Sequence, residues 1–126
     1  LNIVAIVFLL FQAVVCIGLG VAIFISPDWL HDVTSISATE LHGLTDLRST
    51  YGGVFTAVGL SCLFGVIWRK YDSMILGVLV VVYGGLSVAR LLAALMNQDF
   101  SVYTVACLVF ETVSLGFALC LLKQTD

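Results

Sequence analysis

Two ionisable residues, Arg90 and Glu111, lie deep inside stretches that are otherwise as apolar as lipid. A guanidinium and a carboxylate in such a place can pair, hold an anionic group or relay a proton. An unpaired charge near a bilayer centre costs about 2.5 to 3.5 kcal/mol, so two left alone would cost roughly 5 to 7 kcal/mol. They are therefore expected to meet. Other polar residues share their helix faces. Tyr83, Ser87, Ala94 and Asn97 fall on the face of Arg90, and Thr104, Cys107, Ser114 and Ala118 on that of Glu111. Gln12 could add an amide from the first apolar run, on a stripe with Cys16 and Gly20. Asp46, Arg48 and Tyr51 form a further polar group at the start of the second. The candidate site is thus Arg48, Arg90, Glu111, Tyr51, Tyr83, Gln12 and Asn97.

The elements that must position these residues are membrane helices. The chain has 126 residues, 61% of them hydrophobic and only 10% charged, with a mean hydropathy of +1.16. Soluble domains do not have this composition. Four apolar runs predict spans at about 3–25, 46–68, 74–95 and 102–122. Each can cross a hydrocarbon core of about 30 Å as a helix, the cheapest way to satisfy a backbone in lipid. The fold class expected is all-α, an integral membrane four-helix bundle forming one domain over 1–126. The chain opens at Leu1 without an initiator methionine, so preceding residues are expected to be missing. The first run is too long, and lacks the flanks, for a cleaved signal peptide.

Arg69 and Lys70 follow the second run and Lys123 the fourth, whereas Arg48 is the lone Lys or Arg in the other two connections. The positive-inside rule then places both termini in the cytoplasm. The protein is expected in a bacterial inner membrane, with a periplasmic loop at 26–45. There, Ser26 before Pro27 reads as an N-cap with proline in the first turn, and Trp29 suits the headgroup level, so a short interfacial helix is predicted. Ser37 and Glu40 have capping-box spacing, with Leu41, Leu44 and Leu47 behind them, as if the second span began on an amphipathic ramp near 44–48. His31 and His42 read as solvated loop residues.

Cys16, Cys62, Cys107 and Cys120 all fall in apolar runs without ligand spacing and read as small packing residues. No metal site or cofactor is expected. The net charge of −3 comes from acids gathered mostly in the connections, and nucleic acid is excluded as a partner. Small residues recur as Gly53, Ala57, Ser61 and Gly65 on the second run, and as Gly77, Gly85, Ala89 and Ala93 on the third. Such stripes let helix backbones approach closely. Packing within the chain is favoured over assembly, so the partners expected are the bilayer and, through the stripes, a larger membrane complex or a second copy.

Leu47-Arg48-Ser49-Thr50-Tyr51-Gly52-Gly53, then Ala89-Arg90-Leu91-Leu92, and Glu111 further on resemble a family of small four-helix bacterial membrane proteins catalogued as domain of unknown function 4345. Ala89 stands where that family has Gly, a change that keeps the position small. The resemblance spans nearly the whole chain and implies a four-helix membrane fold, but no activity. The residues favour an accessory or structural subunit with a buried Arg90–Glu111 pair. The alternative is a module that binds or transports a small molecule, lipid or anion on Arg48, Arg90 and Glu111. An enzyme is the weakest reading, because no catalytic nucleophile with an adjacent base and no nucleotide-binding loop is present.

Overall fold

In the computed structural model, which describes residues 3–124, every regular element is helical among the described residues. Helix α1 runs Ile3–Ile25, α2 Pro27–Thr34, α3 Leu41–Leu47, α4 Val54–Ile67, α5 Asp72–Asn97 and α6 Val102–Gln124. A π-helical segment, Arg48–Gly53, joins α3 to α4 without a break, so Leu41–Ile67 is one rod of 27 residues. A 3₁₀ turn, Arg69–Tyr71, leads into α5. Four helices, Ile3–Ile25, Leu41–Ile67, Arg69–Asn97 and Val102–Gln124, are long and apolar enough to cross a membrane. The second starts at Leu41, earlier than the ramp expected near 44–48.

The long helices expose extensive aliphatic surface while enclosing several polar side chains beside their apolar core. Gln12, Thr104, Glu111 and Ser114 are buried, whereas Val14, Val81, Leu92, Met96 and Val113 stand exposed. In hydrocarbon this arrangement is the favourable one, because lipid solvates the aliphatic surface and polar groups turn inward to one another.

Contacts divide the chain into two compact units, Leu1–Arg69 and Lys70–Asp126. In the first, α1 packs along α4 and the π-helical segment, with Ala13, Cys16, Gly20 and Ile23 buried at helical spacing. Opposite them, Gly52, Gly59, Cys62 and Gly65 are buried. The approach is so close that side chains are sterically excluded. A Cβ at Gly59 would stand 2.8 Å from the Ile17 amide nitrogen and 3.0 Å from the Ala13 carbonyl oxygen. One at Gly20 would stand 2.6 Å from the Thr56 nitrogen and 2.7 Å from the Gly52 oxygen.

This contact does not follow the stripe expected from sequence. Gly53 and Ala57 are exposed, and a Cβ at Gly53 would meet nothing within 4 Å. The reason is phase. Residues four apart drift by about 40° per step on an α-helix, so 53, 57, 61 and 65 wind off one face. Gly52, Thr56 and Gly59 step by four and then three and stay on it.

The loop before α3 holds a second departure. Helix α2 forms as predicted, with Pro27 in its first turn and Ser26 at the N-cap position but without a side-chain bond to the helix, and it ends where Ser35 adopts a left-handed conformation at φ 64°. The Ser35 N–H donates to the His31 carbonyl at 2.8 Å, a single-bond left-handed cap. The capping box expected of Ser37 and Glu40 is absent. Glu40 itself is the N-cap of α3, with no side-chain hydrogen bond to the helix, and it faces His42 Nδ1 at 3.3 Å on the exposed surface.

In the second unit α5 and α6 form an antiparallel hairpin. Ile75, Leu76, Leu79, Tyr83 and Ala94 are buried on α5. Thr104, Glu111, Ser114, Ala118 and Leu121 are buried on α6, and their steps of seven, three, four and three make a seam like that of a coiled coil. Tyr83 meets Phe110 edge to face, with centroids 6.0 Å apart.

Candidate functional site

The turn between α5 and α6 is built by three local devices. Gln98 adopts a left-handed conformation at φ 51°. Its N–H donates to the Leu95 carbonyl at 3.4 Å and that of Asp99 to the Ala94 carbonyl at 2.9 Å. These are the two bonds of a Schellman ending, which satisfy carbonyls a helix terminus otherwise leaves open. At the start of α6, the Ser101 hydroxyl accepts the Thr104 N–H at 3.4 Å, an N-cap. Asp99 joins the two ends. Its Oδ1 accepts the Ser101 N–H at 3.1 Å and its Oδ2 accepts the Thr104 hydroxyl at 2.7 Å. These bonds, the Thr104 hydroxyl first among them, hold the Asp99 carboxyl below its ordinary range.

So short a turn sets the register of the hairpin, and the register brings Arg90 to Glu111. Arg90 Nε donates to Glu111 Oε1 at 2.7 Å and Nη2 donates to Oε2 at 3.2 Å. This is the forked geometry in which a guanidinium binds a carboxylate most strongly. The Glu111 side chain is 7% exposed and that of Arg90 28%, so the carboxylate is the enclosed partner. Two of five guanidinium N–H groups are engaged. Among the described residues no acceptor meets Nη1.

Arg90 also lines an open cleft of about 320 Å³, together with Leu86, Ala89, Ala93, Ala94, Asn97, Asp99 and Thr104. Its floor is apolar and lies close to the helix backbone, because Ala89, Ala93 and Ala94 carry only methyl groups. One end is polar, with Asn97 and Asp99 at the turn. Ala89 and Ala93, expected as helix-packing residues, are thus walls of this cleft. Gly85 is exposed, and a Cβ there would meet nothing within 4 Å.

The remaining expected site residues belong to the first unit. Arg48 Nε donates to the Phe24 carbonyl at 2.9 Å. That carbonyl lies in the last turn of α1, where oxygens lack an intrahelical partner and the helix dipole is negative. Arg48 is therefore a tertiary cap on α1. It begins the π-helical segment, and Tyr51 on the same segment leans on Phe55 with ring centroids 6.5 Å apart. Gln12 is wholly buried on α1. Gly53 and Ala57 line a shallow apolar groove with Phe24 and Leu60, while Ser61 donates to the Ala57 carbonyl at 2.9 Å and Gly65 is buried.

Asp99 enters the site unannounced by the hydropathy pattern. The local signal that could have found it is the Asp99-x-Ser101-x-x-Thr104 spacing, an acid and a hydroxyl just ahead of an apolar run. Cys16 and Cys62 are buried, Cys107 is half-buried, Cys120 is exposed, and all four are free thiols. Among the described residues no three His, Cys, Asp or Glu side chains gather as a metal site would need.

These features define a class: an all-helical protein with four helices able to cross a membrane and a forked ion pair enclosed between the last two. Within that class, residues 4–122 match the family described as domain of unknown function (DUF4345), and the chain belongs to it. No curated protein and no solved structure matches the chain.

Proposed function

We propose that the protein is a small four-span subunit of a bacterial cytoplasmic membrane, with both termini on the cytoplasmic side and a structural or accessory role. In this reading the Arg90–Glu111 pair locks the register of the α5–α6 hairpin, so that its outer face can be presented to a partner. The forked bonds carry the proposal: both carboxylate oxygens of Glu111 are engaged by one guanidinium, a two-point contact that fixes one helix against the other. Arg69, Lys70 and Lys123 against Arg48 support the orientation.

The test is gentle extraction from the native membrane followed by identification of what accompanies the protein. A stoichiometric protein partner retained by both the parent and the double variant Arg90→Leu/Glu111→Leu supports the accessory role. A double variant that folds like the parent yet loses that partner assigns the pair more than a structural task.

A second reading is favoured by one observation. The Nη1 edge of Arg90 is left over from the ion pair and its residue lines the cleft, so the same hairpin can hold a ligand with acceptor oxygens.

A further inference from the structure

The cleft beside Arg90 has a charge pattern that selects among ligands. At its inner end lies a guanidinium with N–H groups to donate, already neutralised by Glu111. At its outer end lie the amide of Asn97 and the carboxylate of Asp99, the latter held ionised by Thr104 and Ser101. One cation therefore sits among two carboxylates. A purely anionic ligand would find donors at Arg90 and repulsion at Asp99, whereas a purely cationic one would leave the Arg90 donors unmet. A zwitterion satisfies both ends. The seven residues from Arg90 to Asn97 separate those ends by about 10 Å along the helix, a span covered by a phospholipid head group together with its glycerol ester. Between them, Leu86, Ala89 and Ala93 offer an apolar wall suited to the first methylenes of an acyl chain.

We propose that this cleft is a binding site for a zwitterionic phospholipid of the phosphatidylethanolamine type. Its phosphate and ester oxygens accept from the free edge of Arg90, and its ammonium faces Asp99 and Asn97. The proposal rests on the ligand-binding reading of the hairpin and specifies its ligand. Arg90 is a binding residue here as well as half of the ion pair. Asp99 decides between head groups, because among the described residues it is the carboxylate lining the cleft and has no cation paired with it.

The experiment is native mass spectrometry of the full chain released from vesicles of equal parts phosphatidylethanolamine and phosphatidylglycerol with matched acyl chains. Retention of phosphatidylethanolamine over phosphatidylglycerol by about fivefold or more is expected, a ratio within reach of a single charge contact. Asp99→Asn should bring the two lipids to parity. Ala93→Leu, which fills the cleft and leaves both residues of the ion pair unsubstituted, should remove both, while Val88→Leu on the exposed face of α5 should change neither. Soluble phosphoethanolamine in excess should not displace the lipid, and displacement would assign the site to the free head group instead. Equal retention of the two lipids by the parent, with loss of both in Ala93→Leu, overturns the zwitterion and leaves the cleft a binding site. Unchanged retention in Ala93→Leu overturns the cleft itself and the ligand-binding reading with it.

Discussion

Arg90 and Glu111, twenty-one positions apart in the chain, meet through two N–H···O bonds of 2.7 and 3.2 Å across the α5–α6 hairpin. Neither bond is local. Both result from a turn of fixed length between two helices whose polar faces are in phase.

Breaking this pair from one side should be far more damaging than removing it. Glu111→Leu or Arg90→Leu alone strands a charge among apolar groups and should destabilise the protein by about 3 to 5 kcal/mol, whereas the double leucine variant should lie near the parent. Reversible unfolding in mixed micelles, run as a double-mutant cycle, measures the difference. A double variant as unstable as either single one would show that the pair does more than cancel its own burial.

The glycines of the first unit should divide sharply. Gly20→Ala and Gly59→Ala place a methyl group against backbone atoms of the facing helix, and overpacking of that kind costs about 1 to 3 kcal/mol. Gly18→Ala and Gly53→Ala meet open space and should stabilise the helix by up to about 1 kcal/mol through propensity. Thermal unfolding of the four variants in one detergent tests the ordering.

Asp99 should make the hairpin acid-sensitive. Its carboxyl is held low in the folded state by the Thr104 hydroxyl and the Ser101 N–H, so it binds a proton more readily in the unfolded chain. The stabilisation is complete above the ordinary carboxyl value of about 3.9 and fades as pH falls through the lowered one. Stability measured on descent from about pH 5 should therefore fall more steeply for the parent than for Asp99→Asn. Parallel curves would show that the turn does not depend on this charge.

Removing the tertiary cap on α1 should have a small, local effect. Arg48→Ala opens the Phe24 carbonyl and removes a cation from the negative end of α1, worth about 0.3 to 1 kcal/mol near a surface. Hydrogen exchange should quicken in the last turn of α1 and the π-helical segment while the α5–α6 hairpin keeps its protection. Faster exchange throughout the chain would mean that Arg48 holds more than this terminus.

A further local test concerns Gln98, whose left-handed conformation carries a steric cost of about 1 to 2 kcal/mol for a residue with a Cβ. Gln98→Gly should recover much of it, read as a raised unfolding midpoint.

How much could be read from sequence depends on the range of the interaction. The face of α6 was largely legible: a regular helix fixes which residues look the same way, so Glu111 with Thr104, Cys107, Ser114 and Ala118 came from spacing, and all but the half-buried Cys107 are buried. The turn was too short to let the two helices part. The glycine contact was not legible, because Gly52 and Gly53 are equivalent in composition and differ only in phase. That phase passes through a π-helical segment, which admits an extra residue into the turn and rotates the helix beyond it.

The amino-acid sequence by itself determined the helices, their membrane-scale length, the membership of the family and the pairing of one guanidinium with one carboxylate. Hydropathy, periodicity and a short connection are local properties and suffice for the helices and the pairing, while the family rests on the match of residues 4–122. The tertiary structure alone decided that Arg48 caps the end of α1, that Gly20, Gly52 and Gly59 form the close approach, and that Arg90 and Asp99 line one open cleft. Each of these depends on where a second helix lies in space, and the energies that place it come from surfaces meeting rather than from any one stretch of chain.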